Sequence, residues 1–118
     1  MLLTVDPTSE VPLFAQLAAA VRAEAAAGRI HAGDRLPAAR EVAAGLAVNV
    51  HTVLRAYQDL RDEGLVDLRR GRGAVLTAQA ATLEDLRTDI DGLVARARAA
   101  GIHPDALAAL VKEIARDR

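Results

Sequence analysis

Residues 33–76 read GDRLPAAREVAAGLAVNVHTVLRAYQDLRDEGLVDLRRGRGAVL, and a change of period inside this stretch decides the fold. Gly33-Asp34 is a turn signal, and Pro37 can open a helix because the first amide of a helix has no partner to lose. A short helix is expected over about Ala38 to Leu46, with Val42 and Leu46 inward at a spacing of four. Ala47-Val48-Asn49 follows at once. Asn49 is a good N-cap for a third helix that runs to about Glu63, striped by Val53, Tyr57 and Leu60 and stopped by Gly64. The period then drops to two. Leu65 to Arg69 and Ala74 to Thr77 are β-prone runs on either side of Arg70-Gly71-Arg72-Gly73, which predicts a hairpin with a basic tip. Two helices joined by a tight turn and followed by such a hairpin form a helix-turn-helix with a wing.

Upstream, a first helix is expected from Ser9 or Glu10, with Pro12 in its first turn, an apolar stripe of Leu13, Leu17, Val21 and Ala25, and a stop at Gly28. Downstream, Gln79-Ala80-Ala81 reads as a connector, and Thr82 with Asp85 resembles a capping box that opens a fourth helix. Its apolar residues Leu83, Leu86, Ile90, Leu93 and Ala97 are spaced 3, 4, 3, 4, a heptad seam. Gly101 ends it. Pro104 and Asp105 open a fifth helix, in which Leu107, Leu110 and Ile114 repeat the rhythm. Two helices this short cannot bury such stripes against each other alone, so burial against a second copy is expected, with folding back onto the N-terminal core as the alternative. The expected fold class is mostly α with a small β-hairpin: a winged helix-turn-helix over residues 1–78, then a helical dimerisation tail over 79–118.

The 118-residue length allows one small domain with an appendage and excludes a large catalytic fold. Phe14 and Tyr57 are the only aromatic residues, so Leu, Val, Ile and Ala must build the core. The absence of cysteine excludes disulfides and thiolate chemistry. The three histidines, His31, His51 and His103, share no ligand spacing, so neither a metal nor a cofactor is expected. The N-terminus lacks a basic segment with an apolar core, and no stretch approaches the ~18 apolar residues of a membrane span, which fits a soluble, cytoplasmic protein. Net charge is −1, with nine Arg against nine acids in residues 1–78 and six basic against seven acidic residues in 79–118. The local departure from balance is Arg69, Arg70 and Arg72, crowded at the hairpin.

PLFAQLAAAVRAEAAAGRIHAGDRLPAAREVAAGLAVNVHTVLRAYQDLRDEGLVDLRRGRGAVL, from Pro12 to Leu76, resembles the DNA-binding domain of GntR-type regulators. The most specific pieces are GDRLPAARE (33–41), VNVHTVLRAYQDL (48–60) and EGLVDLRRGRGAVL (63–76), in the family's order and spacing. The short helical tail is similar to that of the family's YtrA-type branch. The resemblance implies a dimeric regulator, commonly a repressor. It also marks departures: Ala38-Ala39 stand where Ser-Val is common, which removes a hydroxyl, and Ala47 stands where the turn commonly has glycine, so a slightly different turn is expected.

A recognition helix presents its N-terminal residues to base edges, which nominates Asn49, Val50, His51 and Thr52. Asn suits adenine, and Val50 suits a thymine methyl. By resemblance, Arg40 is the arginine that reaches DNA. Arg35, Arg55, Arg70 and Arg72 are assigned to backbone or minor groove, with Gly71 and Gly73 letting the chain pass close to the duplex. Structural alternatives are an Arg55 pair with Asp59, a turn role for Arg35 beside Asp34, and a core role for Tyr57. The expected partners are double-stranded DNA bearing an inverted-repeat operator and a second copy, with no membrane. The tail is too short to enclose a pocket, which leaves the space between domains or the seam for an unidentified small-molecule effector.

No P-loop, nucleophile elbow or paired carboxylates suggest an enzyme. A winged helix used for protein contact, or as an antitoxin-like module, is the remaining rival. Arg40 and the Arg70–Gly73 tip argue against it, since a protein-binding wing has no evident need for them.

Overall fold

The computed structural model of the protein describes residues 3–117. Five helices and one hairpin follow in order: α1 (Leu13–Ala26), α2 (Ala39–Leu46), α3 (Val50–Asp62), β1 (Val66–Arg69), β2 (Gly73–Leu76), α4 (Gln79–Ala99) and α5 (Pro104–Arg116). The fold is mostly α, a winged helix-turn-helix followed by two helices. The chain forms two compact units, Met1–Asp85 and Leu86–Arg118.

The first unit has one core. Leu17 and Val21 of α1, Val53, Ala56 and Leu60 of α3, and Leu65, Val66 and Leu76 of the hairpin region are all buried in it. Each fully buried Leu or Val side chain contributes about 1.5–3 kcal/mol by leaving water. Arg22 clamps α1 to the end of α3, its Nε and Nη2 donating to the two Glu63 carboxylate oxygens at 2.7 Å each.

α1 begins at Leu13, later than the expected Ser9 or Glu10. Side chains ahead of it hold the backbone in a different shape. Asp6 Oδ1 accepts from Thr8 N, Ser9 Oγ accepts from Val11 N, and Gln16 Nε2 donates to the carbonyls of Asp6 and Val11. Pro12 is the extended N-cap residue.

Between α2 and α3, Ala47 has φ 56 and ψ 44, the left-handed conformation that glycine favours. The expectation of an altered turn is therefore corrected: the backbone takes the glycine-type shape and carries the steric strain of a Cβ. Ala47→Gly should raise stability by about 0.5–1 kcal/mol, seen as a higher urea midpoint at unchanged slope. A lower midpoint would show that the Cβ is not strained there.

Tyr57 is buried, and its hydroxyl donates to the Pro37 carbonyl at 2.6 Å, which ties α3 to the entry of α2. Its place is in the core. Burial, with help from the Glu41 charge, pushes the phenol up to about 12. Unfolded tyrosine ionises near 10, so above that pH the unfolded chain gives up a proton that the folded chain keeps. Stability from this group is complete below pH ~10 and is lost as pH rises toward ~12. Tyr57→Phe should cost about 1 kcal/mol at neutral pH and flatten that alkaline decline, both measured by urea titration.

β1 and β2 pair antiparallel, Val66 with Leu76 through Arg69 with Gly73. A third strand-like segment, which the sequence reading missed, flanks β2. Arg35 bridges Val75, Leu36 N donates to Ala74 O, and Leu76 N donates to Asp34 O. The turn before α2 thus carries the third edge of the wing.

The reading of residues 79–81 as a connector, with a cap at Thr82, is corrected. These residues form the first turn of α4, and Ala80 is buried in the core. Thr77 opens the helix: its hydroxyl accepts from Gln79 N, its carbonyl accepts from Ala80 N, and the same hydroxyl donates to Gly64 O at 2.6 Å. A buried alanine and a cap tied to the loop before β1 outweigh the local pattern at Thr82.

In the second unit, His103 Nδ1 accepts from Asp105 N and caps α5, with Pro104 in its first turn. No residue of α5 is buried. Among the described residues, no helix is long and apolar enough to cross a membrane.

Candidate nucleic-acid interface

The exposed N-terminus of α3 is set by Asn49. Its Oδ1 accepts from His51 N at 2.8 Å, which satisfies one of the open amides of the first turn. That oxygen is therefore already engaged by one donor, and bidentate pairing of Asn49 with adenine would have to share it with the cap. His51 is exposed, Thr52 is half-buried, and Val50 is half-buried against the core.

Each of the nine arginines in residues 3–85 has a distinct setting. Arg22, Arg29, Arg61 and Arg69 pair with Glu63, Glu24, Asp62 and Asp67. Arg35 donates from Nε to the Arg72 carbonyl at 2.9 Å. It braces the wing, and the turn role beside Asp34 falls away, because Asp34 Oδ2 instead accepts from His31 N. Arg55 lies over the Phe14 ring, 3.6 Å from its centroid, in place of the pair with Asp59. Phe14 was not singled out in the sequence, and nothing in its i, i+4 neighbourhood signals this contact. Arg40, Arg70 and Arg72 remain, with no carboxylate partner among the described residues.

Arg40 lies in the first turn of α2, whose N-cap residue, Ala38, offers no side-chain hydrogen bond. Arg70 and Arg72 lie at the wing tip, where Arg72 N donates to Arg69 O. Gly71 and Gly73 have φ of 80 and 71, a left-handed backbone that keeps the tip narrow. The start of α2, the exposed side of α3 and the wing border one cleft, lined among others by Arg35, Ala39, Leu54, Arg70 and Arg72. Three cations with no carboxylate partner among the described residues thus stand on the elements that flank the recognition helix, although residues 1–78 as a whole are neutral.

The tail residues fall into two sets. Leu83 packs against the core of the first unit. Leu86, Ile90, Leu93, Leu110 and Ile114 are 42–51% exposed, while Ala97 and Leu107 are half-buried. Val94, Ile102 and Val111, missed in the sequence, share the apolar face. With Ile90, Leu93 and Leu107 they line a groove of about 550 Å³. A strict 3, 4 heptad reading was too narrow, since a helix face takes three or four residues per two turns.

The sequence pattern of bacterial regulatory proteins of the gntR family matches residues 13–76. The HTH-type transcriptional repressor YtrA of Bacillus subtilis (strain 168) is 30% identical, over 98% of this chain and 94% of its own length. A solved structure described as YtrA from Sulfolobus acidocaldarius, a GntR-family transcription factor, is 32% identical with a TM-score of 0.62, over 84% of this chain and 99% of that one. The DNA-binding domain of AraR, solved in complex with operator ORX1, is 27% identical with a TM-score of 0.56, over 64% of this chain and 93% of that one.

Proposed function

The chain belongs to the gntR family of bacterial regulatory proteins, and from that premise we propose that it is a cytoplasmic, dimeric repressor that binds an inverted-repeat operator. The observation that carries this reading is the distribution of arginines. Six of the nine in the first unit are engaged internally, and the three left open lie at the start of α2 and on the wing tip. Arg70 and Arg72 hold phosphates or the minor groove, and Arg40 reaches a base or phosphate from the flank of α3. His51 and Thr52 face base edges. Arg35 acts one step back, holding the wing. Arg55, stacked on Phe14, keeps guanidinium N–H groups for a phosphate.

Residues 1–78 carry DNA recognition and residues 79–118 carry assembly. The exposed seam of Leu86, Ile90, Leu93, Leu110 and Ile114 supports a second copy as its cover. The relatives reported above are named as regulators, and we read this chain as having no catalytic role. A twofold dimer puts two recognition helices in successive major grooves about 34 Å apart. Hydroxyl-radical footprinting on duplex from upstream of the gene should show two protected half-sites one helical turn apart. One isolated half-site would contradict the dimer.

A further inference from the structure

We propose that the cleft between the wing and the recognition helix binds an amphipathic carboxylate, an apolar chain or ring ending in one acid group, in competition with DNA. The cleft has a volume of about 430 Å³, within the range of small-molecule sites. Its floor is apolar. Leu54 of α3 and Leu68 of β1 are 39% and 40% exposed, and both line it beside Leu36 and Tyr57. Among the described residues of the first unit, Val11 is the one other large apolar side chain exposed to that degree. Two of the three exposed large apolar side chains among the described residues of this unit thus share one concavity, and the sugar-phosphate backbone has no use for them. Tyr57, its hydroxyl committed to the Pro37 carbonyl, is a fixed part of that lining.

The rim supplies the complementary charge. Arg35, Arg69, Arg70 and Arg72 line the cleft, and no acidic residue does. Arg69 is neutralised by Asp67, which leaves Arg70 and Arg72, together with the N–H groups of Arg35 not donated to Arg72 O, to take a carboxylate through charge-assisted hydrogen bonds. An uncharged apolar ligand would leave those groups unused, and a polyanion would find no place on the leucine floor. A carboxylate bound here occupies the wing cations that the duplex needs, so ligand and DNA exclude each other. That regulatory half rests on the DNA-binding reading above; the binding half does not.

The test uses the full-length, ¹⁵N-labelled protein with octanoate, kept below micelle-forming concentration, and 1-octanol as the uncharged probe. Octanoate should shift the amide signals of Leu54, Leu68 and Gly73 saturably, and octanol should do so far less. In fluorescence anisotropy, octanoate at ten times its own Kd should raise the apparent Kd for operator DNA about tenfold. Leu68→Gln should abolish both effects while leaving operator affinity without octanoate within about twofold of the original. Octanoate shifts confined to residues 86–114, equal binding of octanol, or competition that survives Leu68→Gln would each overturn the proposal. Cleft shifts in a protein that binds no duplex at any salt would overturn the competition and the DNA reading while supporting the site itself.

Discussion

Ile90→Asp combined with Leu110→Asp should convert the protein to a monomer and weaken operator binding by about 10²- to 10⁴-fold. Both side chains are about half exposed, so a carboxylate at either position is well solvated in a single chain and costs the isolated fold little. In the dimer proposed above the same positions would lie in an apolar seam, where two unpaired carboxylates per copy would cost several kcal/mol. The loss on DNA follows from tethering. A dimer binds its second half-site at an effective millimolar concentration, and that avidity disappears when the tether is cut. Sedimentation equilibrium reads the mass, anisotropy reads the affinity, and an unchanged melting transition of the first unit confirms that its core is intact. A variant that sediments like the parent would remove residues 86–114 from the assembly interface.

Arg40→Ala should cost about 1–3 kcal/mol on the correct operator and flatten the preference over other sequences, because a guanidinium on a base edge discriminates by that amount. Arg72→Ala should act differently. It removes a wing charge while keeping the backbone carbonyl that Arg35 grips, so the wing stays in position. It should weaken binding to all duplexes alike and reduce the slope of log K against log salt by about one. Equal, sequence-blind losses in both variants would move Arg40 to the phosphate set.

Most of the architecture was legible because its signals are local. Asn49 caps α3 in the manner that an Asn before an apolar period implies, and the arginine-glycine tip forms the turn that its glycines imply. The misplaced boundaries have nonlocal causes. The start of α1 is delayed by Gln16 reaching back to Asp6 and Val11. The start of α4 is advanced by Thr77 bonding to Gly64, thirteen residues away, and by Ala80 finding a place in a core that a local window cannot show. Ala47 is instructive in another way: its residue type argues against a left-handed turn, and the packing of α2 on α3 imposes one.

The candidate site was legible as a set of residue types but not as a set of roles. Residues 33–76 contain Arg35, Arg40, Arg55, Arg61, Arg69, Arg70 and Arg72, and sequence spacing offers local partners to two of them, Asp34 to Arg35 and Asp59 to Arg55. Arg35 is instead held by a carbonyl 37 residues away, and Arg55 by a ring on another helix. What remains open after those contacts are made is Arg40, Arg70 and Arg72, a distinction that only the tertiary structure supplies.

The most direct test of the central claim is fluorescence anisotropy of the purified protein on duplex from upstream of its own gene and on a scrambled duplex, across a salt series. The account predicts tight binding to the native duplex that falls steeply with salt, with the scrambled duplex bound at least 10³-fold more weakly at physiological salt. No binding to either duplex, even at low salt, would contradict it and leave the winged helix as a protein-contact module.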